Sequence, residues 1–207
     1  MDFPHNIPSA HRAILEEVAQ QAKSLGQETY LVGGYVRDYY LDRITNDVDM
    51  DVVTIGSGIQ LAEKIHESFK AKGIESTCSF FKQFGTAQVK TSAIELEFIG
   101  ARKESYRDDS RKPIVEDGSL EDDQNRRDFT INALYWSLDP DRMGTLVDVF
   151  GGLSDLSKGV IQTPIDPEKT FSDDPLRMMR AIRFAAQLHF TLHPATRDAI
   201  AKMAPRL

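Results

Sequence analysis

Residues 30–51, YLVGGYVRDYYLDRITNDVDMD, constrain this chain more tightly than any other stretch, because a strand, a turn, a helix and a returning strand must all fit inside them. The apolar run at 30–32 reads as a buried strand, Gly33 and Gly34 as the turn that leaves it, and 35–41 as the first turns of a helix. A strand-to-helix junction of this kind exposes backbone N–H groups that attract anions, and glycine leaves room for a phosphate against the backbone. Arg37 follows three residues after Gly34, about one helical turn in, where its guanidinium can join those N–H groups on a phosphate oxygen.

The chain returns as DVDMDVV, an alternating strand in which Asp47, Asp49 and Asp51 share one face because side-chain direction has a period of two. Like charges so placed repel by about 1 kcal/mol even in water-like surroundings, and a divalent cation is the natural compensation. The stretch therefore suits metal-bound phosphate.

Around it the pattern is that of a layered α/β unit. Ser9 is placed to cap a helix to about residue 24, with Ile14, Leu15, Val18 and Ala22 on one face and Gly26 as its stop. Ser57 is placed to cap a second helix to about residue 72, with Leu61, Ala62, Ile65 and Phe69 inward. Three short strands are expected at 74–78, 86–90 and 94–99. In the last, Glu95 reads equally as part of a solvated edge, whereas Glu97 lies among Leu96, Phe98 and Ile99 and is the better candidate to approach the aspartates. Residues 101–125 are charged and mostly aperiodic, long for a connection, and such loops are often functional. After RRDFTINA at 126–133, strands are expected at 134–137 and 145–149, with a short helix near 153–157.

No apolar run approaches the length of a membrane span, and the N-terminus lacks the basic and apolar regions of a secretory signal, so a soluble protein is expected. A single cysteine, Cys78, excludes an internal disulfide and fits the cytoplasm; the five histidines show no metal-ligand spacing. The formal charge of −7 argues against a nucleic-acid partner only until its distribution is considered. Residues 173–207 carry six basic groups against three acidic ones, a local excess of positive charge.

From Asp174 the pattern is helical, with Met178, Ala181, Ile182, Ala185 and Leu188 at core spacing and Arg177, Arg180 and Arg183 at every third position. Steps of three turn back by about 60° around the axis, so the arginines form one basic stripe. With no carboxylate interleaved, the stripe fits ligand binding better than a solvated face. Asp174 and Arg177, an acceptor three residues from a donor, suit the Watson–Crick edge of cytosine or adenine, while uracil and guanine present the reverse order.

LVGGYVRD followed by NDVDMD, then RRDFTINAL, then DDPLRMMRAIRFAA, in this order, resembles the class II tRNA nucleotidyltransferase and bacterial poly(A) polymerase family over residues 28–190. The resemblance implies an α/β (α+β) fold: a nucleotidyltransferase head domain with a mixed β-sheet flanked by helices, over residues 1–158, followed from 159 to 207 by the beginning of an all-helical neck. The RNA-holding body and tail domains of the family are expected to be absent from this chain. In the family pattern Asp47 and Asp49 are the catalytic, metal-binding pair. Gly33, Gly34 and Arg37 belong to the triphosphate site, Arg127 and Asp128 lie beside the ribose and phosphates, Asp174 and Arg177 read the base, and Arg180 and Arg183 complete the nucleotide pocket. Asp51 falls outside the matched pair and reads as a solvated strand residue, and Glu97 matches no motif.

The activity so implied is template-independent addition of CMP and AMP from CTP and ATP to the tRNA 3′ end, with two Mg2+ ions. The partners expected are CTP, ATP and the tRNA 3′ end; neither a membrane nor a protein partner is expected. An enzyme adding only A, to tRNA or as a poly(A) tail, is the alternative within the same chemistry. A nucleotide- or RNA-binding module without turnover is the alternative outside it. The full-length segment before RRDF disfavours a CC-only enzyme.

Overall fold

The computed structural model describes residues 7–45, 48–81, 85–107 and 110–207, with the backbone alone for 103–107 and 110–115. The chain forms two compact units, Met1–Ala101 with Tyr135–Val147, and Arg102–Leu134 with Asp148–Leu207.

The first unit begins with α1 (Ser9–Ser24), which buries Leu15, Val18, Ala19 and Ala22. Pro8, not Ser9, holds the N-cap position, and no side chain caps the helix. The extended conformation natural to proline suits the entry to a helix, which moves Ser9 one position inward. Then follow β1 (Glu28–Val32), α2 (Gly34–Tyr40), β2 (Val48–Ile55) and α3 (Gly58–Ala71). Ser57 caps α3 by accepting from the Gln60 N–H. Next come β3 (Thr77–Phe81), β4 (Thr86–Lys90) and β5 (Ile94–Gly100), and β3 lies three residues later than the apolar pattern suggests.

The chain leaves this unit for β6 (Arg102–Arg107), β7 (Ser110–Asp117) and α4 (Leu120–Asn125), and comes back as β8 (Tyr135–Ser137) and β9 (Leu146–Val147). Seven strands make one mixed sheet in the order β3-β4-β5-β2-β1-β8-β9. Among the described residues of this sheet β2 and β5 pair in parallel and the other neighbours are antiparallel. Leu31, Met50, Val52, Leu61, Ile65, Phe69, Val89, Leu96, Phe98 and Trp136 are buried, so helices and sheet close a core of the expected α/β kind.

Glu17 is a buried charge that ties α1 to the end of α3: its carboxylate accepts from Gln21, Ser68 and Lys72. Burial pushes its pKa up, but these hydrogen bonds and the Lys72 charge outweigh burial and hold it below the usual carboxylate range. A depressed folded-state pKa contributes stability that is complete above the unfolded value of about 4.3 and is lost as pH falls through the folded value. Glu17→Gln is therefore expected to cost about 1–3 kcal/mol at pH 7 and much less in acid. Thermal melts of both proteins at neutral and acid pH check this; an equal deficit at both would contradict it.

The second unit holds β6, β7 and α4, then α5 (Gly152–Lys158), β10 (Val160–Ile161), α6 (Pro167–Asp173), α7 (Leu176–Leu188), β11 (Thr191–Leu192) and α8 (Pro194–Met203). Residues 101–125, read from the sequence as a mostly aperiodic loop, are for the most part regular: β6 and β7 form an antiparallel ribbon of their own, followed by α4. A two-stranded ribbon outside the main sheet does not need the apolar alternation by which strands are recognised. Asp166 caps α6, a helix the sequence pattern did not single out, with Pro167 in its first turn. Phe171, Met178 and Ala199 form the small core joining α6, α7 and α8.

The buried stripe of α7 runs through Arg177, Met178, Ala181, Phe184 and Leu188, and Ile182, expected inward, is 48% exposed. The helix starts at Leu176 rather than Asp174, and Phe184 takes the inward place. No described helix is long and apolar enough to cross a membrane.

Candidate active site

The first unit carries the glycine turn. Gly33 has φ +80°, a conformation side chains rarely adopt, and a Cβ there would sit 3.2 Å from Asp51 Oδ2. Gly34 opens α2, and Arg37 is 9% exposed, its Nε and Nη2 each donating to the Asp38 carboxylate at 2.9 Å. α2 is anchored from below by aromatic packing: Tyr35, Tyr39 and Tyr40 all meet the Trp136 ring edge-on, and Trp136 Nε1 donates to the Tyr40 hydroxyl at 3.3 Å. His11 Nδ1 and the Tyr35 hydroxyl are hydrogen-bonded at 3.0 Å, and burial pushes the Tyr35 phenol well above its ordinary pKa. The turn thus rests on a rigid base.

The antiparallel register that sets Val32 opposite Asp51 brings the aspartate strand beside this turn. Asp51 is half-buried against Gly33, not the solvated strand residue expected. Asp49, two residues earlier, is exposed, and no hydrogen bond or ion pair to it is found among the described residues. Asp47 lies outside the described residues. On the neighbouring strand Glu95 is paired with Asp49 and Glu97 with Asp51. Glu95 is engaged by Gln88 and by Lys90, the latter at 3.0 Å, as suits an edge carboxylate. No group of three or more His, Cys, Asp or Glu side chains that could hold a metal occurs among the described residues. The donors on offer are hard carboxylate oxygens, which fit a hard divalent cation such as Mg2+.

The second unit carries the arginines. Asp128 is 8% exposed, and its oxygens accept from the Phe129 N–H at 2.8 Å, from Asn132 at 3.1 Å and from Arg180 at 2.7–2.8 Å. Arg177 is 8% exposed and donates to the Arg126 carbonyl at 2.8 Å and, more weakly, to the Thr170 carbonyl at 3.4 Å. Asp174 precedes α7 in an extended conformation, its Oδ1 accepting from the Leu176 N–H at 3.1 Å. Arg183 is exposed, with its guanidinium 4.6 Å from the centre of the Phe184 ring. The three arginines that share a period of three in the sequence therefore differ: one is buried and fixed by backbone, one is paired with Asp128, and one is solvated.

The segment bearing Arg127 and Asp128 is pinned from behind by α5. A Cβ on Gly152 would lie 2.2 Å from the Thr130 carbonyl oxygen, so only glycine admits this approach. Asp148 caps the Gly152 and Leu153 N–H groups, and the Thr130 hydroxyl donates to Asp155 at 2.7 Å.

Sequence reasoning passed over Asp123. Its fully buried carboxylate accepts from Arg126 and, at 2.8 and 3.1 Å, from Arg127. The i,i+3 and i,i+4 spacing was its available signal.

A glycine turn beside a carboxylate-bearing strand, in a mixed sheet, defines a nucleotidyltransferase type of head. The poly A polymerase head domain family matches residues 29–162. The A-adding tRNA nucleotidyltransferase of Aquifex aeolicus is 42% identical over 178 residues, covering 86% of this chain and 20% of that protein. The CCA-adding enzyme of Bacillus subtilis is 38% identical over 179 residues, covering 86% of this chain and 41% of that protein. A solved tRNA nucleotidyltransferase, complexed with a primer tRNA and an incoming ATP analog, superposes with a TM-score of 0.75 at 38% identity, covering 91% of this chain and 50% of that one.

The chain belongs to the tRNA nucleotidyltransferase and poly(A) polymerase family. It spans half or less of the length of these relatives. Members of the family generally use divalent metals.

Proposed function

We propose that this protein adds CMP and AMP from CTP and ATP to the 3′ end of tRNA in the cytoplasm, releasing pyrophosphate. The observation that supports this best is the exposed Asp49 carboxylate on the strand whose next inward-facing acid, Asp51, touches the Gly33 turn. In this proposal residues 1–158 act as the head and residues 159–207 as the start of the neck.

Asp47 and Asp49 would hold two Mg2+ ions, which would supply acidity to the attacking 3′ hydroxyl and charge neutralisation to the triphosphate. Gly33, Gly34 and Arg37 hold the triphosphate, and Arg127 binds beside the ribose and phosphates. Asp128 holds Arg180 in place through their ion pair. Asp174 and Arg177 select the base by acceptor and donor, and Arg180 and Arg183 complete the pocket.

A second reading, addition of A alone, is favoured by the 42% identity to an A-adding enzyme. Incubation with Mg2+, tRNA lacking its last three nucleotides and each labelled NTP separates the two. Label from CTP is expected to enter this substrate, and label from UTP or GTP is not. Incorporation only from ATP, and only into tRNA already ending in CC, would establish the second reading.

A further inference from the structure

We propose that Asp123 is a positioning residue that sets the guanidinium of Arg127 for the incoming nucleotide; this rests on the function proposed above. The capping box of Ser119 and Asp122 fixes the start of α4, which directs Asp123 toward the residues three and four positions on. Asp123 is fully buried. One oxygen receives Arg126, and the other receives both Nε and Nη2 of Arg127. This side-on grip commits one edge of the Arg127 guanidinium and fixes its plane. The Arg127 side chain is only 14% exposed, so it meets any ligand from a set orientation and not as a solvated, swinging chain.

The same segment is fixed on its other side, where the Arg126 carbonyl accepts from Arg177 and Asp128 accepts from Arg180. Asp123 thus braces the segment from α4 while α7 braces it through Arg177 and Arg180. The doubled contact of Nε and Nη2 with one Asp123 oxygen holds the Arg127 guanidinium plane as a positioning role requires, and the KM readout below separates that role from charge balance.

The test compares Asp123→Asn with Arg127→Ala, and adds the double variant Asp123→Asn, Arg126→Gln to relieve any unpaired buried charge. Asp123→Asn is expected to raise KM for both CTP and ATP by about tenfold or more, as Arg127→Ala does, with the CTP-over-UTP preference kept. The double variant is expected to recover the melting temperature lost in Asp123→Asn while its KM stays raised. If KM returns to the wild-type value together with Tm, or never rises in a folded Asp123→Asn protein, Asp123 only balances charge and the proposal is overturned. Equilibrium titration with Mg-CTP keeps the two readings apart. Should the wild-type protein bind nucleotide without transferring it, the proposed function fails. A parallel weakening of binding in the Asp123 and Arg127 variants would still support the positioning role.

Discussion

Asp49→Ala is expected to abolish nucleotide incorporation, by at least about a thousandfold, while leaving the melting temperature nearly unchanged. Asp49 is exposed on β2, and no hydrogen bond or ion pair to it is found among the described residues, so removing its carboxylate strips no packing from the core. In the proposed function an exposed carboxylate at this place would hold a cation that joins during turnover. Labelled-nucleotide incorporation and a thermal melt on the same preparation check both halves. Incorporation retained in a folded Asp49→Ala protein would remove the metal assignment.

Arg177→Ala is expected to reduce the CTP-over-UTP preference by about 10- to 100-fold, and to affect triphosphate binding much less. Arg177 is buried and held by the Arg126 and Thr170 carbonyls, so its guanidinium has a set orientation. In the proposed function an arginine so fixed would discriminate by leaving a mismatched base edge unsatisfied. Its loss also removes the donor at 2.8 Å from the Arg126 carbonyl, so a lower melting temperature is expected alongside. Selectivity is therefore measured as a ratio of kcat/KM values for CTP and UTP within each protein, which cancels the loss of folded fraction. An unchanged ratio would assign Arg177 to structure alone.

Much of the architecture was legible because it follows from local signals. The apolar run before Gly33 and Gly34, the alternation through Asp49 and Asp51, and the Ser57 cap each specify an element without tertiary help. The β6–β7 ribbon was not legible, since its charged strands lack the period-two apolar pattern. The exposure of Ile182 does not follow from the α7 period, because which edge of the apolar stripe is covered is set by packing among α6, α7 and α8.

At the candidate site the sequence supplied the motif residues but not the partners that hold them. Periodicity grouped Arg177, Arg180 and Arg183 as one stripe. It could not show that Asp128, far away in sequence, claims Arg180, or that the Arg126 carbonyl claims Arg177. Asp51 looked solvated because nothing in an alternating strand says which glycine turn will lie against it. Long-range pairings of this kind belong to the fold and not to any one segment.

The most direct measurement is the length of the product formed from tRNA lacking its last three nucleotides. With CTP alone the RNA is expected to grow by two nucleotides, and with CTP and ATP together by three and then stop. No extension with any nucleotide, by folded protein supplied with Mg2+, would contradict the proposal that this chain adds CCA to tRNA.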